Sequence, residues 1–529
     1  MSWVHNPNTI LLMKSYFAFS ILVLFADAAA GKKKILILPA DHNSGILQMV
    51  HLANAISEDG HQVVFCTGSK DYKPVEKLNP NISLHEDKNK AHANYILSEV
   101  LDGVLQEKPK TIIELLYSGV AGMDAMNTLP KSFLSDPETL ADMKSCDLAI
   151  ILAPELFWSA LIIPYKLDIP YIVINARTDP WIQGVASSPA AEPNFGFASL
   201  DENSGLLERL MNTFTVVVGN NIAALLIEYR YGHLVSKLAP EKPPKKLSEL
   251  YSEAGMVFVQ QNPVCLDYPR NTMPHYQMVG GYSAQKSGSA SNETMKPFHD
   301  FLGQSDFVLM TLGSQVKTIP NDKLKIILNT FAKFQNLKFV LRNVGKTENL
   351  PKNVLISPWL PQSDLMALPN VKLFITHGGL NGQNEGAYYG APMLVLAIYG
   401  DHWYNGRRAN RLGTTEVLDF AKLTESDFTN KLNLMLSQKS YSEKALKCKK
   451  ILQALPSAKE VSLYWINHVL EFGYDHLQPL TKNMPWYQML ILDQILVVFV
   501  CLAIGMTLFL SVMRMLWRCL CARRKRKTE

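Results

Sequence analysis

Short, almost wholly apolar runs recur along this chain, each separated from the next by a stretch with helical periodicity. In the first half these runs are Ile35–Leu38, Gln62–Cys66, Leu148–Leu152, Tyr171–Asn175 and Met256–Gln260. In the second half they are Phe307–Leu312, Lys338–Leu341, Lys372–Ile375 and Met393–Ala397. Brief apolar runs without polar alternation fit strands buried on both faces, the pattern of parallel sheets. Between them lie helices such as Asp322–Phe334, with Leu324, Ile327, Leu328 and Phe331 on one face. Strands alternating with helices predict an α/β chain with two doubly wound, Rossmann-like domains facing a cleft. Ligands in such folds sit outside the C-terminal ends of the strands. The 529 residues allow two or three domains. A segment poor in large apolar residues, 284–297, reads as the linker between a domain over 31–283 and a second over 298–488.

The two ends of the chain constrain its surroundings. Tyr16–Ala26 is apolar, follows Lys14 and precedes Ala28-Ala29-Ala30, so residues 1–30 fit a cleavable signal peptide. Ile495–Met513 carries no charge and is long enough to cross a hydrocarbon core as a helix, giving a predicted span over 489–513. The seven basic residues from Arg514 onward, against the single acid Glu529, account for more than the whole formal charge of +5. The rest of the protein is close to neutral, which removes nucleic acid as a partner. Basic residues after the span predict a cytosolic tail over 514–529 and a single-pass protein with its body across the membrane. Lys525 and Lys527 resemble the dilysine retrieval signal of endoplasmic-reticulum membrane proteins, and they also suit a basic flank on anionic lipid. Asn81 and Asn292 are acceptors for N-glycosylation in a luminal chain. Of seven cysteines, Cys66, Cys146, Cys265 and Cys448 fall in the body without CxxC or CxxxH spacing, which supports neither a disulfide framework nor a structural zinc. The apolar segment Leu206–Val235 reads equally as a core helix, as the lining of an acceptor pocket or as a face against the membrane.

One block carries the chemistry. From Trp359 to His402 the chain reads WLPQSDLMALPNVKLFITHGGLNGQNEGAYYGAPMLVLAIYGDH. A predicted strand runs into Thr376-His377-Gly378-Gly379 and then a helix, so backbone N–H groups can face an anion at the helix N-terminus. Asn381 and Glu385 lie one turn apart on that helix, which suits a diphosphate at the turn and a ribose beyond it. Asp401-His402 follows the next strand and reaches the same sheet edge. The turn is GGxxG, and GxGxxG is absent, which argues against a dinucleotide-dependent oxidoreductase.

This block resembles the donor-binding signature of the UDP-glycosyltransferases, from Trp359 and Gln362 through His377, Gly379, Asn381, Glu385 and Pro392 to Asp401. Leu312-Gly313-Ser314, Arg342 and the stretch Leu266–Arg270 resemble further parts of the family pattern, and the two termini resemble its membrane-bound animal branch. The resemblance implies two Rossmann-like domains of the GT-B type, an acceptor-binding first domain and a donor-binding second. It implies a metal-independent, inverting transfer from a UDP-sugar, with no cofactor, to a small lipophilic acceptor at the bilayer. By position, Trp359 and Gln362 would flank the uracil. Ser314, His377, Gly379 and Asn381 would line the diphosphate, Glu385 the ribose, and Asp401 and His402 the sugar hydroxyls, with Arg342 a further donor-site position. An anchored chain of this kind also permits homo- or hetero-oligomers.

Two departures qualify the resemblance. The family's basic histidine, sixteen residues before His61, falls on Gly45, preceded by Ser44. The carboxylate that pairs with it falls near Leu152–Pro154, with Glu155 the nearest acid. His42 lies on the same loop and could act in its place, with Asp41 or Glu155 orienting it. The alternative is that His42 is only a polar loop residue. The second departure is His402 where the family usually has Gln. Related galactosyl-transferring members have His there, which points to UDP-galactose or another non-glucuronyl hexose. Two functions follow: a hexosyltransferase, or a UDP-sugar-binding homologue without the catalytic pair.

Overall fold

The computed structural model describes residues 31–525 apart from 89–111, 154–155, 177–184, 186–187, 189–191, 193–203, 263, 268, 270, 285–289, 317 and 345–349. The expected signal peptide and Glu155 therefore lie outside the described residues.

The first sheet is built from β1 (Lys34–Leu38), β2 (Gln62–Thr67), β3 (Ser83–Glu86), β4 (Leu148–Leu152), β5 (Tyr171–Asn175), β6 (Met256–Val259) and β7 (Tyr276–Met278). Its spatial order is β3-β2-β1-β4-β5-β6-β7. The second contains β8 (Phe307–Thr311), β9 (Lys338–Arg342), β10 (Val354–Ser357), β11 (Val371–Thr376), β12 (Met393–Ala397) and β13 (Thr415–Asp419), in the order β10-β9-β8-β11-β12-β13. Every neighbouring pair in both sheets is parallel. Each sheet reverses its winding beside its first strand, which opens the crevice typical of doubly wound folds. The central strands β1, β4, β5, β8 and β12 are buried almost throughout, as their unbroken apolar sequences require.

The helices that matter for the site and its surroundings are α1 (Asn43–Glu58), α2 (Leu206–Phe214), α3 (Asn220–Tyr231), α4 (His233–Leu238), α5 (Leu247–Ser252), α6 (Leu380–Tyr389), α7 (His402–Arg411), α8 (Lys439–Ala454), α9 (Ala458–Phe472) and α10 (Leu492–Lys525). Helix α6 lies unusually close to its sheet because Gly386 has no side chain. A Cβ there would stand 2.6 Å from Met393 Sδ. This close approach sets the N-terminus of α6 at the ends of β11 and β12.

Three sequence expectations need correction. The linker is shorter than 284–297, because a helix begins at Asn292, capped by the Ser291 hydroxyl, which accepts from Thr294 N at 3.2 Å. The second domain does not keep all of 298–488. Helix α9 crosses back, and its Ile466 and Val469 are buried with Ile35, Met49 and Ile56 of the first domain. Its apolar face fits that core, and Tyr282 and Ser462 hydroxyls seal the contact at 2.7 Å. Third, Cys265 and Cys448 form a disulfide with Cα atoms 5.7 Å apart. They are 183 residues apart in sequence, so no local spacing could reveal the pair. The helix α10 starts at Leu492, where the span was expected, and continues through Lys525 into the basic tail.

Candidate functional site

The loops after β1, β8, β11 and β12 meet between the two sheets. At the end of β11 the chain turns through Gly378 with φ of +92°, a left-handed conformation that glycine adopts without strain. Gly379 then caps α6. The His377 ring lies between two glycines: a Cβ on Gly313 would stand 2.5 Å from its Cε1, and one on Gly379 would stand 2.4 Å from its Nε2. Bare backbone on both sides is therefore what seats this imidazole. Burial, reinforced by the neighbouring His402, holds His377 well below the ordinary histidine value.

Glu385 lies one turn along α6 and accepts from Gln362 Nε2 at 2.9 Å and Ser363 Oγ at 3.1 Å. Burial raises its carboxyl to about 7 despite these two donors. The sequence assigned Gln362 and Glu385 to adjoining parts of one ligand, and the fold brings them into contact. Trp359 is exposed beside them, with Lys73 Nζ of the first domain 5.1 Å from its ring centre.

Arg342 follows its strand, as its motif implied. It ends β9 and donates to the carbonyls of Gly313 at 2.5 Å and Val316 at 3.0 Å. It braces the loop that carries Ser314, whose side chain is exposed.

Asp401 precedes α7, and its Oδ2 accepts from Asn405 Nδ2 at 2.6 Å. Asn405 also donates to Gly378 O at 3.0 Å and accepts from Arg408 Nη2 at 2.8 Å. Arg408 in turn pairs with Asp267, and both side chains are essentially fully buried. This chain of contacts ties the glycine turn and Asp401 to the connection between β6 and β7 of the first sheet. Asn405 and Arg408 were not selected from the sequence. Their only signal was an i, i+4, i+7 spacing from Asp401, which any amphipathic helix can show. His402 is buried, and its Nδ1 accepts from Tyr399 N at 3.3 Å and Ile398 N at 3.4 Å. Burial lowers it to about 3. The neutral ring therefore carries its proton on Nε2.

The first domain reaches across the cleft. Gln48 of α1 donates its side-chain amide to Asn381 of α6. Asn384 Nδ2 donates to Gln260 O at 3.3 Å. His42 caps α1: its Nδ1 accepts from Gly45 N at 3.0 Å and lies 2.9 Å from Ser44 Oγ. A side chain at position 45 would start 2.9 Å from His42 Cε1. The His42 ring thus fills the space that Gly45 leaves empty. Burial lowers it to about 4, with the Asp401 carboxylate acting in the opposite sense.

Asp41 does not orient His42. Its Oδ1 accepts from Gly68 N at 3.0 Å, and its carboxyl also faces the Tyr72 hydroxyl. Burial raises it to about 6. The cap bond to Gly45 leaves His42 Nδ1 no proton with which to engage a carboxylate. Among the described residues no group of three or more His, Cys, Asp or Glu side chains is arranged to hold a metal.

With this geometry in hand, the chain can be set against known proteins. The family model described as UDP-glucoronosyl and UDP-glucosyl transferase matches residues 33–527. The chain belongs to this family. Mouse UDP-glucuronosyltransferase 1A1 is 24% identical over 96% of this chain and 96% of its own length. Rat 2-hydroxyacylsphingosine 1-beta-galactosyltransferase is 26% identical over 91% of this chain and 88% of its own. Among solved structures, the kitacinnamycin glycotransferase superposes with a TM-score of 0.56 at 17% identity, covering 83% of this chain and 99% of that one. The calicheamicin glycosyltransferase CalG4 gives 0.54 at 14%, covering 83% and 98%. The GT-B arrangement of two facing Rossmann-like domains is therefore the fold of this family member.

Proposed function

We propose that this family member transfers a hexosyl group, glucuronosyl, glucosyl or galactosyl, from a UDP-sugar to a small lipophilic acceptor, with inversion and without a metal. The carrying observation is the glycine turn at the N-terminus of α6 with the Glu385–Gln362 pair one turn beyond it. Backbone N–H groups at Gly379 and the first turn, with the Ser314 loop, receive the diphosphate. Glu385 accepts from the ribose hydroxyls, Gln362 and Trp359 meet the uracil, and Asp401 and His402 meet the sugar. In the reaction the acceptor nucleophile attacks the anomeric carbon while the bond to the diphosphate oxygen breaks, and UDP leaves as an anion. The helix end stabilises that developing charge.

The acceptor's proton is the weak point. His42 is near the sugar-facing Asp401, yet its Nδ1 is held as an acceptor, so its neutral ring offers Nε2–H. A ring in that form donates a hydrogen bond and does not take a proton. The reading therefore favours acceptors that lose a proton readily or carry an amine. His402 and the galactosyltransferase relative favour galactose as the sugar. Titration calorimetry of the purified protein with UDP-galactose, UDP-glucose and UDP-glucuronate tests this, and a preference for glucuronate overturns it.

The cap geometry also favours a second reading, a homologue that binds UDP-sugar without turnover. Single-turnover assays with radiolabelled UDP-sugars and phenol or amine acceptors separate the two: labelled product supports transfer, whereas tight UDP binding without product supports the second. We place the body on the luminal side of the endoplasmic-reticulum membrane, with α10 as its single anchor. Glycosidase-sensitive mass at Asn81 or Asn292 supports that side, and modification of Lys447 by a membrane-impermeant reagent in sealed microsomes overturns it.

A further inference from the structure

Two carboxamides meet across the cleft. Gln48 is on α1 of the first domain and is 6% exposed, and its Nε2 donates to Oδ1 of Asn381. Asn381 is in the first turn of α6, the helix end at which the proposed reading seats the diphosphate. A carboxamide offers a carbonyl acceptor on one side and an NH2 donor on the other, and a half-turn about its last torsion exchanges them. Here Gln48 occupies the acceptor side. Among the described residues Asn381 Nδ2 has no hydrogen-bond partner. Helix α1 runs beside the site: its cap His42 feels the Asp401 carboxylate, and Gln48 is six residues on, about 9 Å along the axis. One helix of the first domain therefore faces Asp401 with its N-terminus and the first turn of α6 with its second turn. The first domain meets α6 again at Asn384, whose Nδ2 donates to Gln260 O at 3.3 Å and would stand 2.6 Å from a Cβ on Gly281. That second contact uses backbone of the first domain and does not involve Gln48.

We propose, resting on the UDP-sugar reading above, that Gln48 is a positioning residue for the donor: by holding the Asn381 carbonyl it turns the Asn381 NH2 toward the diphosphate, so that a side chain of the first domain sets donor affinity in the second. A diphosphate only accepts hydrogen bonds. Asn381 helps it by presenting NH2 and repels it by presenting Oδ1. Without Gln48 the carbonyl loses its donor, and the side chain takes either orientation. With Gln48 the groups line up from amide to amide to phosphate, and each bond polarises the next. The relay needs both domains, since each supplies one amide. The Asn384 contact and the buried Arg408–Asp267 pair still join the domains when Gln48 is changed. A variant at position 48 therefore alters the relay and leaves the cleft assembled.

The test measures UDP binding by titration calorimetry on the full chain in phosphatidylcholine nanodiscs, with uridine as a phosphate-free control followed by saturation-transfer NMR. Three variants are compared with the parent: Gln48→Met, which keeps the length and removes the donor, Asn381→Ala, and both together. A retained Cys265–Cys448 disulfide reports a folded body in each. Gln48→Met is expected to weaken UDP at least about fivefold and uridine less than about twofold. In the Asn381→Ala background the same change is expected to cost less than about twofold further, because Gln48 acts through Asn381. Unchanged UDP affinity in Gln48→Met overturns the proposal. So does a full additional loss in the double variant, which marks a direct or merely structural role, and so does an equal loss of uridine and UDP. Should Gln48→Met not fold, Gln48→Glu takes its place. Its carboxylate keeps the length, only accepts, and draws the Asn381 NH2 to itself, so UDP affinity is expected to fall at least about tenfold with uridine unchanged, and parent-like affinity overturns the proposal. A parent chain that binds no UDP overturns the UDP-sugar reading itself and this role with it. A parent that binds UDP, with variants that match it, overturns the positioning role alone.

Discussion

Arg408 Nη1 and Asp267 Oδ2 are 2.6 Å apart with both side chains sealed from solvent, so a helix of the second domain is locked to the connection between β6 and β7 of the first sheet. Removing one member of a buried pair strands the other charge, at about 3–5 kcal/mol. Arg408→Met is therefore expected to lower the thermal midpoint sharply. Because Arg408 also holds Asn405, and Asn405 holds Asp401 and Gly378 O, UDP-sugar affinity falls as well. The double variant Arg408→Met with Asp267→Leu regains most of the stability without the affinity. Thermal denaturation and calorimetry on the three variants measure both effects.

The ribose role proposed for Glu385 makes donor binding depend on pH near neutrality. Its carboxyl is raised from 4.5 to about 7 by burial, so the unfolded chain gives up this proton first as pH rises. Stability from this group is complete below about 4.5 and declines through about 7, by at most about 3 kcal/mol. In the proposed role the ionised carboxylate accepts from ribose hydroxyls, so affinity is expected to follow the opposite course and rise from pH 6 to 8. Glu385→Gln is expected to raise the midpoint at pH 8, flatten its pH dependence and weaken UDP binding at least about tenfold. Melting curves and titrations at pH 5.5, 7 and 8.5 measure these effects, and an unchanged UDP affinity in the variant counts against the ribose role.

The strands of both sheet centres were legible because a parallel strand buried on both faces must be apolar at every position. Edge strands escaped for the converse reason: Ser83–Glu86 and Thr415–Asp419 contain polar residues that an edge tolerates. Within the site, groups that share one local segment were readable, such as His377, Gly379 and Glu385. Contacts made by distant segments were not. Nothing local links Gln48 to Asn381, Asp267 to Arg408 or Cys265 to Cys448. Arg342 shows the limit of a motif position, since the residue is where the pattern places it and its guanidinium binds loop carbonyls.

The Cys265–Cys448 disulfide joins the segment carrying Asp267 to helix α8, and Leu266 is buried in the second domain's core. A crosslink across so long a loop stabilises mainly by restricting the unfolded chain, typically by 2–4 kcal/mol. Cys448→Ala is expected to lower the midpoint accordingly. Mass spectrometry under non-reducing digestion should show the linked peptides, and two free thiols at these positions count against the bond.

The exchange of His42 for the missing side chain at position 45 makes a reciprocal prediction. Gly45→His alone is expected to fail, because its Cβ would stand 2.9 Å from His42 Cε1 and 2.8 Å from Ala40 O. The second contact is with backbone and cannot be relieved by a rotamer, so some loss of stability remains in any variant. Adding His42→Gly clears the ring and frees the space for an imidazole at 45. That imidazole no longer has to cap α1 through Nδ1, so Nε2 can take a proton. The double variant is expected to transfer to weakly acidic alcohols faster than the parent, by about tenfold to a hundredfold, with a new rise in rate through pH 6–7. His42→Ala alone costs the cap, about 1 kcal/mol, and leaves transfer to amines unchanged. Steady-state rates with an alcohol and an amine acceptor across pH 5–9 decide the matter. A large loss of amine transfer in His42→Ala means that His42 is itself the base, and the tautomer argument fails.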